Sequence, residues 1–88
     1  MVRKSSNSLR AILAENIKTF RKKKALSQEE LAAQCDLHRT YIGSVERLER
    51  NVTLSTLEVL SETLGVSVPE LLTKHESPSN KMQMGEVE

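Results

Sequence analysis

The sequence predicts an all-α domain of five helices around a small aliphatic core. Its 88 residues include only three glycines and two prolines, so few positions oppose helix formation. Phe20 and Tyr41 are the only aromatic residues, which leaves aliphatic side chains to fill the core. Apolar residues recur at helical spacing between capping signals. A core of this size is marginal, and association with a second chain would add stability.

The two halves of the chain differ in charge. Residues 1–50 carry 11 Lys and Arg against 6 Asp and Glu, whereas residues 51–88 carry 2 against 6. The basic half indicates a polyanionic partner, and a random distribution of surface charge is the alternative.

Cys35 is the only cysteine and is predicted to be a buried apolar residue. We expect no metal, no cofactor, no small-molecule ligand, no membrane contact and a cytoplasmic location.

The first helix is predicted over residues 8–24, with Ser8 as its N-cap. Residues 1–7 before it are polar and basic, which predicts a flexible N-terminal arm. The apolar face of the helix is formed by Leu9, Leu13, Ile17 and Phe20. The basic run at residues 21–24 suits a helix C-terminus, although its three lysines could equally lie near phosphates.

Residues 27–30, SQEE, form a capping box that opens the second helix. Leu26 and Leu31 are spaced as a hydrophobic staple around this box. Asp36 follows at the point where the chain must turn. Asp suits this position because it tolerates the left-handed conformation better than most residues. These signals predict a short helix that ends in a tight turn.

The third helix is predicted over residues 39–47, with His38 as a weak cap. Ile42 and Val45 lie three residues apart and should face the core. The opposite face should present Arg39, Thr40, Gly43, Ser44 and Arg47. A basic, hydroxyl-bearing helix held across another helix is suited to entering a DNA groove. Gly43 either permits close approach to a surface or is simply tolerated.

Thr53 is predicted to cap a fourth helix over residues 54–64, which Gly65 ends. Residues 67–70, SVPE, form a second capping box that opens a short fifth helix. Residues 74–88 show no periodicity and are predicted to be a disordered tail.

In this order the motifs closely resemble the Cro/phage-repressor (Xre-type) helix-turn-helix family over about residues 9–73. The residues that carry the resemblance are Ser27, Gln28, Glu29, Glu30, Leu31, Ala32, Asp36, Leu37, Arg39, Tyr41, Ile42, Glu46, Arg47, Leu57, Leu64, Gly65 and Val66. Residues 38–47, HRTYIGSVER, and residues 50–51, RN, look most like the controller proteins of restriction–modification systems. The resemblance implies a five-helix lambda-repressor-like DNA-binding domain over residues 8–73, with the helix-turn-helix at its second and third helices.

The resemblance also implies a homodimer that binds double-stranded operator DNA, regulates transcription, and is bacterial or phage-encoded and nucleoid-associated. Controller proteins of this kind activate their own gene and the endonuclease gene and then repress at higher occupancy, which makes RNA polymerase a further candidate partner. The alternatives are a phage-type repressor, an antitoxin that autoregulates its operon, or a protein-sequestering module of the same fold. No enzymatic activity is expected, because the neighbouring glutamates fit caps and solvated faces better than an acid–base pair.

The resemblance implies roles for individual side chains. The residues expected to read bases are Arg39, Thr40 and Ser44. Those expected to contact the DNA backbone are Gln28, Tyr41, Arg47, Arg50 and Asn51. A structural ion pair is expected between Arg21 and Glu46. The candidates for the dimer interface are Val52, Leu54, Val59, Val68 and Leu72, and each of them could instead complete the core.

The chain departs from the family pattern after its third helix. Family members usually have Gly there, whereas this chain has Leu48. Either Leu48 is left-handed, at a cost of roughly 1–2 kcal/mol, or the helix runs one turn longer and Asn51 takes the left-handed cap. The path of Arg50 depends on this choice. Asp36 in place of a turn Gly and His38 in place of a Ser or Thr cap are milder departures.

Overall fold

A computed structural model describes the backbone of residues 2–75 and the side chains of residues 9–75. All regular secondary structure in this part of the chain is helical, with no strand, which confirms the predicted fold class. The helices are α1 (Val2–Lys23), α2 (Gln28–Gln34), α3 (Tyr41–Glu46), α4 (Leu54–Leu64) and α5 (Val68–Leu71). No helix in the described range is long and apolar enough to cross a bilayer.

The first helix begins at Val2, so the predicted start at Ser8 is wrong. The backbone of residues 2–7 is helical rather than irregular. These residues contain neither glycine nor proline, the two residues that oppose a helix most strongly. Residue 1 of the predicted arm and residues 76–88 of the predicted tail lie outside the described residues.

The core lies where the five helices meet. Each helix contributes a fully buried aliphatic side chain: Ile17, Leu31, Ile42, Leu60 and Leu71. Cys35 is buried, as predicted. Leu9, which begins the predicted apolar face of α1, is 44% exposed and therefore lies outside the core. Burial of this kind is worth roughly 1.5–3 kcal/mol for each large aliphatic side chain, which makes the shared core the main source of stability.

Three helices begin at the predicted caps. The Ser27 hydroxyl accepts from the Glu30 amide at 3.0 Å, and the Glu30 carboxylate accepts from the Ser27 amide at 2.8 Å. Ser67 and Glu70 form the same reciprocal pair at 3.1 and 2.8 Å. Thr53 accepts from the amide of residue 56 at 3.2 Å. Both capping boxes and the cap of α4 are therefore confirmed.

Four helices end in the same way, at one residue with a left-handed backbone. These residues are Ala25 (φ 56°), Asp36 (φ 60°), Leu48 (φ 64°) and Gly65 (φ 75°). After each, the next amide bonds a carbonyl five residues back, as in Leu26 N to Arg21 O at 3.0 Å and Glu49 N to Ser44 O at 2.9 Å. This bond closes the helix and satisfies a terminal carbonyl. The predicted turns at Asp36 and Gly65 are confirmed.

Asn16 ties α5 to α1, a contact that the periodicity of α1 did not predict. Its buried carboxamide donates to the carbonyls of Leu71 and Thr73, both at 2.8 Å, and of Glu70 at 3.3 Å. A helix of four residues has little stability of its own, so this clamp and the burial of Leu71 hold it. His75, at the start of the predicted disordered tail, also contacts the Glu70 carbonyl at 2.9 Å.

Candidate nucleic-acid interface

The turn between α2 and α3 presents two exposed polar residues, Arg39 and Thr40. The third helix starts at Tyr41 rather than at residue 39 as predicted, with Thr40 as its N-cap. The reason is local: the His38 ring nitrogen Nδ1 accepts from the Thr40 amide at 3.2 Å and lies 2.9 Å from its hydroxyl. His38 therefore fixes the turn from outside the helix.

Arg39 is exposed at this turn. No hydrogen bond or ion pair joins its guanidinium to another side chain in the described part of the chain. Thr40, beside it, is also exposed, and its carbonyl accepts from the Ser44 amide at 3.2 Å. The structure thus brings together two of the three predicted base-reading residues at the start of α3.

Ser44, the third predicted base reader, is only 9% exposed. Its hydroxyl donates to the Tyr41 carbonyl at 2.7 Å and accepts from Arg50 Nε at 3.0 Å. The structure therefore places Ser44 beneath Arg50 and not on the exposed face. The predicted exposure of Ser44 is wrong because a helix of six residues buries four consecutive positions, 42–45, which leaves no opposite face at Ser44.

Gly43 is also buried, contrary to the prediction that it lies on the exposed face. A Cβ atom at this position would lie 3.1 Å from Gln28 Oε1 and 3.2 Å from an Arg47 guanidinium nitrogen. Both distances are shorter than ordinary van der Waals contact. The glycine thus makes room for the Gln28 side chain to cross α3, and neither reason considered from the sequence anticipated this.

Arg21 and Glu46 form the expected ion pair between α1 and α3. Arg21 donates to Glu46 through Nε at 2.8 Å and through a terminal nitrogen at 3.1 Å. The two side chains are 10% and 4% exposed. Gln28 joins the pair by donating from Nε2 to Glu46 Oε1 at 2.9 Å. The carboxamide of Gln28, predicted to reach phosphate, is therefore partly occupied by the scaffold.

Leu48 has the left-handed backbone, and α3 ends at Glu46. The first of the two alternatives for this turn is therefore confirmed, and the longer helix capped by Asn51 is wrong. The turn directs Arg50 back over α3, where its guanidinium carbon lies 5.0 Å from the centre of the Tyr41 ring. Arg50 is thus oriented by a ring beneath it and by the Ser44 hydroxyl. Asn51 is exposed in the irregular segment that follows.

Arg47 is bound by a residue that sequence reasoning did not assign to the site. Its guanidinium donates to Glu49 from Nε at 3.0 Å and from a terminal nitrogen at 3.1 Å. This hydrogen-bonded contact raises the pKa of Arg47 and lowers the pKa of Glu49. The two residues are only two positions apart, and their contact depends on the left-handed Leu48 between them, so the spacing alone did not predict it.

The candidate dimer residues fall into two groups. Leu54 is 77% exposed and Val59 is 39% exposed, both on α4. The other three, Val52, Val68 and Leu72, are partly buried and pack against the core. The structure therefore leaves two apolar side chains of α4 exposed. In the described residues, no group of three or more His, Cys, Asp or Glu could hold a metal ion.

Comparison with known proteins identifies similar chains. The helix-turn-helix family model matches residues 17–71. Control protein C.SmaI of Serratia marcescens is 61% identical over 66 residues, which cover 75% of this chain and 79% of that protein. The hypothetical transcription factor NHTF from Neisseria superposes with a TM-score of 0.73 at 45% identity, over 86% of this chain and 84% of that one. The restriction–modification controller protein C.Esp1396I, solved as a tetramer with its natural 35-base-pair operator, superposes with a TM-score of 0.65 at 39% identity, over 73% of this chain and 88% of that one.

Proposed function

Because the chain belongs to the helix-turn-helix family, we propose that it regulates transcription by binding operator DNA as a homodimer, as the controller protein of a restriction–modification system. The observation that carries this proposal is the exposed pair Arg39 and Thr40 at the start of α3, held in place by α2. The identity with control protein C.SmaI supports the narrower assignment to a controller.

Arg39 is the proposed base reader with the widest choice of hydrogen bonds. Its guanidinium can donate in parallel to guanine O6 and N7, the commonest specific contact in the major groove. Thr40 can contact a thymine methyl group or a base edge. Ser44 would act indirectly, since its hydroxyl holds Arg50.

Contacts with the DNA backbone are proposed for residues around this centre. Gln28 stands at the start of α2, where exposed amides also favour an anion. Arg47, Arg50 and Asn51 follow α3 on the surface, and Tyr41 supports Arg50 from below. Such contacts fix the register of the protein on the duplex but carry no sequence information themselves.

A second copy of the chain is proposed to cover Leu54 and Val59, with Val52, Val68 and Leu72 at the edge of the same surface. Pairing about a two-fold axis would place the two α3 helices about 34 Å apart, one turn of DNA. In this scheme low occupancy activates the chain's own gene and the endonuclease gene through RNA polymerase on the nucleoid, and higher occupancy represses them.

The direct test is a gel shift with DNA from upstream of the chain's own gene and with a shuffled duplex of equal length. We expect tighter binding to the upstream DNA, and an affinity for both duplexes that falls as salt increases. Equal binding to the two duplexes, or no binding, would refute the proposal. Sedimentation equilibrium at tens of micromolar tests the homodimer, and a monomer alone would contradict it.

A further inference from the structure

Glu49 is the one exposed carboxylate between residues 37 and 57. The only other acidic residue in that stretch is Glu46, whose side chain is 4% exposed and paired with Arg21. The Glu49 side chain is 55% exposed. Its amide donates to the Ser44 carbonyl at 2.9 Å, which fixes the backbone of Glu49 beside α3. A negative charge is therefore held within a surface that otherwise presents arginines.

The carboxylate of Glu49 occupies the hydrogen-bonding fork of Arg47. Two N–H groups of the guanidinium, on Nε and on one terminal nitrogen, point at the two carboxylate oxygens at 3.0 and 3.1 Å. Arginine binds a phosphate through the same parallel pair of donors. In the protein without DNA, Glu49 thus takes the position that a phosphate would need on Arg47.

This contact persists at neutral pH. The hydrogen bond from Arg47 lowers the pKa of Glu49, and the charge of Arg50 acts in the same direction. A carboxylate with a lowered pKa keeps its charge even at the pH where a glutamate ordinarily becomes protonated, and loses it only as the pH falls further into acid. The pair is therefore fully charged under the conditions in which DNA would bind.

We propose that Glu49 competes with DNA phosphates for Arg47 and so restrains binding to DNA of any sequence. The inference rests on the proposed function. Binding to unrelated DNA depends on phosphate contacts alone, whereas operator DNA adds contacts with base edges. Arg47 must exchange Glu49 for phosphate, and the released carboxylate then repels the backbone. Glu49 therefore keeps the protein off bulk DNA unless base contacts offset the exchange.

The test compares Glu49→Gln with wild type by fluorescence anisotropy on two duplexes, one from upstream of the chain's own gene and one of unrelated sequence. Glutamine keeps the size of the side chain and removes its charge. We expect several-fold tighter binding to unrelated DNA, and a salt dependence steeper by about one cation per protomer. Between about 50 and 200 mM salt, the gain over wild type should therefore shrink about threefold for each protomer bound.

Glu62→Gln is the matched control, because Glu62 is exposed on α4 and its replacement removes the same formal charge. It should change both affinities by less than about twofold. The route through Arg47 is tested by adding Glu49→Gln to Arg47→Gln, where most of the gain should disappear. Thermal unfolding of Glu49→Gln should match wild type, because the ion pair is exposed.

Unchanged or weaker binding of Glu49→Gln to unrelated DNA would overturn the inference. Glu49 would then either have no effect on DNA binding or orient Arg47 toward the DNA. An equal gain in affinity for unrelated DNA from Glu62→Gln would also overturn it. So would a full gain when Glu49→Gln is added to Arg47→Gln. Each of these results can occur while wild type still prefers its operator, so the proposed function would stand. If the wild-type protein bound neither duplex, or bound both equally, the proposed function would be refuted, and this inference with it.

Discussion

Replacing Glu46 by alanine should lower the free energy of unfolding by about 3–5 kcal/mol, the range for breaking a buried ion pair from one side. Three hydrogen bonds end on this carboxylate, two from Arg21 and one from Gln28. Their loss leaves the Arg21 guanidinium, in a side chain 10% exposed, with its bond to the Leu26 carbonyl at 2.9 Å. The cost comes mainly from this uncompensated buried charge.

The expected loss is a large share of the total stability. Domains of this kind unfold with roughly 0.05–0.15 kcal/mol per residue, or about 4–13 kcal/mol for 88 residues, so a loss of this size would remove between about a quarter and all of it. Urea unfolding followed by circular dichroism at 222 nm measures it directly. Glu62→Ala, which removes an exposed carboxylate on α4, should change the free energy by less than about 0.5 kcal/mol.

A Glu46→Ala variant within about 1 kcal/mol of wild type would refute this reasoning. The double variant Arg21→Met with Glu46→Leu provides a second check. It removes both charges and fills the space with apolar atoms, so it should be markedly more stable than Glu46→Ala alone. If the double variant were the less stable of the two, the buried charge of Arg21 could not be the source of the cost.

Three further changes test other parts of the fold. Leu48→Gly should stabilise the protein by about 1 kcal/mol in urea unfolding, because glycine adopts the left-handed backbone without strain; a lower urea midpoint would contradict this. Asn16→Ala should lower the free energy of unfolding by about 1–3 kcal/mol and speed hydrogen exchange in α5, since the carbonyls of the chain end that Asn16 holds lose their buried donor; unchanged exchange rates would argue against the clamp. Leu54→Asp should weaken dimerisation at least about tenfold in sedimentation without lowering the melting temperature of the monomer, because a charge would enter the interface; an unchanged dimer would remove Leu54 from the interface.

The features that could be predicted well from the sequence are local ones, namely helix caps and turns. The capping boxes at Ser27 and Ser67 depend on residues only three apart, and the left-handed turns at Asp36 and Gly65 depend on a single residue. Such features need no knowledge of the tertiary packing. The same holds for the limits of α4, which begins and ends at the predicted residues.

Side-chain contacts across the site were harder to predict. The burial of Gly43 and Ser44 depends on how a helix of six residues is rotated against α2, and so short a segment gives little periodicity to read. Arg47 meets Glu49 only because the backbone reverses at Leu48. Asn16 lies on a buried face that polar residues usually avoid, and its partners are backbone carbonyls more than fifty positions away, which no side-chain pattern reveals.

The turns at Ala25 and Leu48 also bear on how much of this protein a cell contains. Each holds a residue with a Cβ atom in the left-handed conformation, which costs roughly 1–2 kcal/mol relative to glycine. The natural sequence is thus less stable than the same fold could be, as is common among natural proteins. Differences of this size can change abundance several-fold, because proteases remove unfolded chains. Under the proposed function the effect of the chain depends on its occupancy of DNA, and two strained turns would then help to set the time at which a threshold concentration is reached.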